Sequence, residues 1–301
     1  MKIGNFALLK GQAVALQAVM FCAGMLGAAC TKTEVDVPVR ETRQIKVHLS
    51  EYDSSGQLLE GEKSIDNLQA CIFEDGMLTA VYDNLAVSGS SVDLQIGSYS
   101  GTLYLLANTA GLVDLSDLQT GGISEDEWLR HTVGQNAGAP AHFFTGKADL
   151  GGRETTVPVS LERGVARFDL QLRTAGDASV SSLTLANSAQ SAYLFPVSGE
   201  LSPAGVSRKD VSVSFSQPLT VDTPGVLYVY EQESDGLEIT VDAVVDGRHM
   251  TLTKKLENSL ERNTIYTVTL RKDAIDVTLE VSFEDWIPGS DTELVPQRRY
   301  L

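Results

Sequence analysis

Cys30 stands at the end of the run Leu26, Gly27, Ala28, Ala29, a thiol approached through small residues that leave room for a modifying enzyme. The other side chains with chemical potential lack a comparable setting. His48, His131, His142 and His249 are scattered, without the HxxxH or CxxC spacing that assembles zinc ligands. Glu127 and His131 fall four apart and would share one helix face, which reads as a solvated pair before it reads as the start of a metal site. The run GSYSG at 97–101 puts Tyr99 where a hydrolase nucleophile elbow needs serine. Neither a phosphate loop nor a dinucleotide fingerprint occurs. Asp53, Ser54, Ser55 and Gly56 read as a turn rather than a cation site. With 40 acidic residues in the chain, closeness of two carboxylates in sequence carries little weight. The expectation is a protein that is not an enzyme and has no cofactor or metal.

The residues around Cys30 have the form of an export signal. Residues 1–10 carry Lys2 and Lys10 and no acid, and 13–26 are apolar apart from Gln17. That is the charged head and short apolar middle of a signal peptide, too short for a stable membrane-spanning helix. The junction resembles the bacterial lipobox, in which a peptidase cuts just before a cysteine whose sulfur carries a diacylglyceryl group. Gly27 occupies the place where the usual box has an aliphatic residue, and Leu26 comes one place earlier. The alternative is an ordinary cut after the small residues, with Cys30 left as a free thiol.

Of the 301 residues, enough remain after a signal at 1–29 for two domains of ordinary size. The formal net charge of −17 argues against nucleic acid as a partner and against electrostatic attraction to anionic lipid. Cysteine usage is simple. Cys22 leaves with the signal and Cys30 takes lipid, so Cys71 has no partner for a disulfide and the fold must be held by burial. Cys71 lies in the strand-like run 68–73 and is expected to be a small core residue.

Beyond the signal the chain reads as all-β. Runs rich in Val, Ile, Leu, Thr and Tyr alternate with Gly, Asp, Asn and Ser clusters about every ten residues, the signature of a sandwich or barrel. Ile45, Val47 and Leu49 share one face of a strand over 44–49, and Val277, Leu279, Val281 and Phe283 share one near the end. Asp246 and Gly247 predict a tight hairpin. Ser124 followed by Glu127 predicts a capping box and a helix over 124–131. The expected organisation is signal 1–29, linker 30–43, β-sandwich domain 44–159, β-sandwich domain 160–290 and tail 291–301, with short helical insertions.

Three stretches carry a resemblance. GTLYLLANTAG at 101–111, LERGVARFDLQL at 161–172 and NTIYTVTLRKDAIDVTLEVSFEDWIPG at 263–289 resemble, in this order, the fimbrillin superfamily of Bacteroidales, or type V, pili. The resemblance implies two transthyretin-like β-sandwich domains in a cell-surface fimbria, with other fimbrial subunits and outer-membrane lipid as partners. It also implies assembly by strand exchange. A protease specific for Arg or Lys removes the first strand of a lipidated precursor, and the open groove takes a strand from a neighbour, whose ladder bonds give affinity while alternate side chains set register. Carried onto this chain, Ile45, Val47 and Leu49 become the groove-filling side chains. Lys63 is the only basic residue in the 51–63 connection, whereas Arg40 and Arg43 precede the strand, so a cut at either would leave the strand attached. That departure favours a subunit that keeps its first strand, such as a lipid-held anchor, or a variant cut at Lys63. In the family an equivalent of the tail acts as donor. Carried onto this chain, the resemblance would make Leu294 and Val295 the apolar residues of such a donor, with Arg298 and Arg299 making it a poor continuous strand; a frayed terminus is the alternative.

A second functional reading is a surface glycan-binding lipoprotein, for which Trp128 and Trp286 are the candidate platforms; a host surface or glycan is then the partner. The expected location is the outer membrane under both. Bacterial lipoproteins carry two or three acyl chains, which makes anchoring durable. Cys30→Ala is therefore expected to release the protein from membranes in a high-salt fractionation, and a variant that still pellets contradicts the lipid assignment.

Overall fold

The computed structural model describes residues 41–49, 58–62, 64–97, 100–134, 139–272 and 277–285, without the side chains of 41, 47–49 and 283–285. The expected signal, Cys30, Lys63, Tyr99, Trp286 and the tail lie outside the described residues.

Short alternating runs build the first sheet. Its strands are β1 (Glu41–Leu49), β2 (Leu68–Glu74), β3 (Met77–Tyr82), β4 (Val87–Ser88), β5 (Ser91–Ile96) and β6 (Thr102–Ala107). A connection then carries the helix α1 (Glu125–Leu129) and the short β7 (Thr132–Gly134), after which β8 (Phe144–Asp149) and β9 (Thr156–Arg163) complete the sheet. The strands are bonded in the order β3, β2, β6, β8, β9, β1, β5, β4. β9 is the corner. Its residues 156–161 pair in parallel with β1, whereas Glu162 and Arg163 pair with β8. The sheet thereby folds into two leaves, and Ile45, Leu68, Ala70, Ile72, Leu94, Leu103, Leu105 and Val159 from both leaves are buried in one core.

The second half forms β10 (Ala166–Thr174), β11 (Ala178–Ala189), β12 (Ser191–Tyr193), β13 (Arg208–Leu219) and β14 (Thr223–Val229). It continues with β15 (Glu238–Val245), β16 (Arg248–Lys255), β17 (Thr264–Lys272) and β18 (Val277–Asp285). β14, β10, β17 and β18 make one four-stranded sheet, and β13, β11, β15 and β16 make another. Phe168, Leu170, Leu183, Leu185, Ile239, Val241, Val268 and Leu270 close the core between them. β15 turns into β16 at Asp246 and Gly247, with φ of 48° and 75°. The tight turn needs positive φ at both positions, which is why Asp-Gly predicts it.

Where the structure departs from the pattern, a partner strand is the reason. β1 begins at Glu41, inside the expected linker, because residues 41–43 pair with β5. β8 falls in a stretch that reads as irregular, since FTGKAD lacks clear alternation, yet all six of its residues pair with β6. β9 continues past residue 159 to Arg163 through its pairing with β8. α1 ends at Leu129 rather than reaching His131, with the capping box formed as its sequence predicts.

A third core lies where the two sandwiches meet. β2 is buried on both faces. Leu68, Ala70 and Ile72 point into the first sandwich, while Cys71 and Phe73 point into a cluster with Tyr104, Leu106, Trp128, Phe143, Val165, Phe195 and Tyr230. Phe73 stacks on Trp128 at 6.0 Å, and Tyr104 meets Phe195 edge-on at 4.9 Å. β7 pairs with β12 across the junction. At Gly164, between β9 and β10, a Cβ would sit 1.9 Å from the Phe143 ring, so this position has room only for hydrogen.

Beside that core is a buried ionic cluster. Arg167 and Glu62 have fully buried side chains, and the guanidinium Nη1 donates to both Glu62 oxygens at 3.1 and 2.9 Å. Arg167 also donates to Asp169, Nε at 2.6 Å and Nη2 at 2.8 Å. Tyr228 Oη and the Leu59 amide donate to the Glu62 carboxylate, and Arg163 Nε donates to the Glu62 carbonyl. Burial and the adjacent Glu62 charge hold the Tyr228 hydroxyl well above its ordinary pKa, so it stays a donor. Breaking a buried pair from one side strands the other charge, at a cost of about 3–5 kcal/mol. Arg167→Met is therefore expected to lower the unfolding free energy from urea denaturation by an amount of that order, and a variant with an unchanged midpoint and slope contradicts this account of the junction.

Candidate functional site

The residues singled out at 45, 47 and 49 lie on a strand that has neighbours on both edges. β1 pairs antiparallel with β5, from Glu41 with Ile96 to Lys46 with Ser91. It pairs in parallel with β9, from Gln44 with Thr156 to Leu49 with Leu161. Residues 44–46 are thus bonded on both sides, and β1 fills a slot whose walls are β5 and β9. Period-two alternation decides what points inward. Thr42, Gln44 and Lys46 are exposed, while Arg43 and Ile45 are buried. Ile45 has no exposed surface and sits in register with Val92 on one wall and Val157 on the other. Val47 and Leu49 pair through their backbones with Val159 and Leu161; their side chains lie outside the described residues.

The slot has a polar end that the sequence reading missed. Arg43, expected in the linker, is an inward-facing residue of β1 and only 2% exposed. It pairs in register with Leu94 of β5. Its Nε donates to the Glu154 carbonyl at 3.0 Å, Nη1 to the Leu150 carbonyl at 3.1 Å, and Nη2 to the carbonyls of Gly152 and Glu154 at 2.9 and 2.8 Å. These oxygens belong to the turn between β8 and β9. The Gln44 amide extends the contact by donating to the Thr155 carbonyl at 2.9 Å. One signal was available: Arg43 has the parity of Ile45, Val47 and Leu49.

The remaining candidates are placed elsewhere. Trp128 is fully buried in the junction core and offers no face to a sugar. Glu127 spends its carboxylate on Ser124, which holds its pKa below the ordinary carboxylate value, and His131 Nδ1 approaches the Glu127 carbonyl instead. Cys71 is fully buried, and desolvation pushes its thiol up to about 12, so it is an inert core residue. Among the described residues no group of three or more His, Cys, Asp or Glu side chains is placed to hold a metal ion.

Residues 177–284, most of the second sandwich, match the family model described as a bacterial Ig-like domain. No curated protein matches the chain. Solved structures do. A protein of proposed cell-adhesion function from Parabacteroides distasonis is 18% identical over 83% of this chain and 98% of its own, with a TM-score of 0.59. A fimbrial assembly protein from the same species is 14% identical over 81% and 99%, with a TM-score of 0.53. The tip fimbrial protein Mfa3 from Porphyromonas gingivalis, solved with a C-terminal truncation, is 15% identical over 82% and 100%, with a TM-score of 0.52. At this identity the likeness is one of fold: the chain is an all-β protein of sandwich units with the fold of Bacteroidales fimbrial proteins.

Emptying the Ile45 position removes a side chain held from both walls. Ile45→Ala is expected to destabilise the protein by about 2–5 kcal/mol. Thr42→Ala on the exposed face should change stability by less than about 0.5 kcal/mol. Equal effects in equilibrium denaturation would contradict the inward placement of residue 45.

Proposed function

We propose that this chain is a non-enzymatic structural subunit of a cell-surface fimbria, held at the outer membrane by lipid on Cys30 and joined to other subunits by exchange of its first strand. The observation that carries the reading is the slot: β1 is bonded on both edges, precedes every other strand of the sheet, and leaves two complementary walls when it is taken away. A strand of the same apolar period entering that slot would recover both ladders. Each subunit then offers a donor to one neighbour and a slot to another, a head-to-tail relation that propagates as a filament. The fold shared with fimbrial proteins supports this reading.

In this reading the two sandwiches are transthyretin-like domains at 44–159 and 160–290, and Ile45, Val47 and Leu49 are the side chains that seat in the groove. Cys30 joins the chain to lipid, and Lys63 is the cleavage point of any subunit that gives up its strand. The test is the N-terminus of this protein in filaments purified from the cell surface. A start at acylated Cys30 identifies a subunit that keeps its strand, and a start at Ser64 identifies a processed one. Absence from filaments, with the protein abundant in the membrane fraction, overturns the proposal.

A further inference from the structure

Apolar alternation by itself leaves the slot ambiguous. Sliding an inserted strand by one residue turns its apolar face to water, but sliding it by two restores the same face. Ile45, Val47 and Leu49 form a run of similar side chains at this period, so they discriminate weakly between registers two residues apart. Arg43 is the inward residue of the same parity that differs. A two-residue slip in one direction would put Glu41 against the oxygens that now receive Arg43, and a slip in the other would put Ile45 there. The first sets a carboxylate against carbonyl oxygens, and the second leaves them without a donor.

The turn that meets Arg43 has matching chemistry. Its Leu150, Gly152 and Glu154 carbonyls converge on one guanidinium, and a carbonyl can only accept. A planar fork with fixed N–H directions reaches three such oxygens together, whereas a lysine ammonium is a point charge on a flexible stem. Because these oxygens belong to the main chain, the cradle remains with the turn when β1 is replaced. We infer that the β8–β9 turn is a guanidinium-binding site that selects, for the slot between β5 and β9, an extended strand carrying arginine two residues ahead of its first inward apolar side chain. The inference deepens the strand-exchange reading and rests on it for strands supplied by another subunit.

Two measurements on the full chain test it. In the first, Arg43→Ala is melted with ethylguanidinium or ethylammonium at equal millimolar concentration. Ethylguanidinium is expected to raise the variant's midpoint toward wild type and leave wild type unchanged; equal effects of the two ions, or none, overturn the site. In the second, the wild-type chain receives a specific protease sequence between Ser55 and Gly56, is nicked there, and is incubated with excess labelled peptides of residues 41–49. The native peptide is expected to enter on the order of tenfold more than peptides with Arg43→Lys, Arg43→Met or citrulline at that position, the scale of lost charge-assisted hydrogen bonds. Equal incorporation of all four overturns the inference. If every peptide is refused while ethylguanidinium still rescues Arg43→Ala, the guanidinium site stands as a lock on the chain's own strand, and the strand-exchange reading fails.

Discussion

A carboxylate removed from water needs a full set of donors, and Glu62 finds them only where the two sandwiches touch. Its oxygens take Arg167 and Tyr228 from the second sandwich and the Leu59 amide from its own segment, while its carbonyl takes Arg163 at the end of β9. Separating the halves would take Arg167 and Tyr228 away from the Glu62 carboxylate, a penalty that apolar contacts alone would not impose. The ionic cluster and the aromatic core beside it therefore answer to the same constraint. One fixes direction through hydrogen bonds, and the other excludes the water that would weaken them.

That constraint reaches the slot of β1 through β9. The strand pairs with β1 along 156–161, and its last residue, Arg163, is held both by the Glu62 carbonyl and over the Phe144 ring at 5.4 Å. One wall of the slot is thus tied to the junction rather than to β1. β1 itself is held differently, by two main-chain ladders, the buried Ile45 and the Arg43 fork. Ladder bonds are made to any backbone, so they give a strand affinity without identity; identity comes from the inward side chains.

The motif LERGVARFDLQL shows how far a pattern can be read. Its alternation marks strands, and β9 and β10 lie there. Two arginines in such a run look like solvent-facing residues, yet Arg163 and Arg167 are among the largest fully buried side chains of the protein. Their partner Glu62 lies about a hundred residues earlier, in a connection with no periodic pattern. The same distance hid Arg43. Its acceptors are carbonyls of a turn more than a hundred residues away, and a carbonyl has no residue type to announce it. β8 was obscured for a related reason, since pairing to β6 rather than alternation makes it a strand.

The sequence by itself determined the β character, the capping box at Ser124, the hairpin at Asp246 and Gly247, and the inward parity of Ile45. Each depends on side-chain period or on φ at one or two residues, which are local properties. Only the tertiary structure decided that β1 lies between β5 and β9, that Arg43 and Arg167 are interior, and that Trp128 belongs to a core. Those outcomes depend on which distant surfaces meet, and burial turns a charged or aromatic side chain into a structural group once its partners have been brought to it.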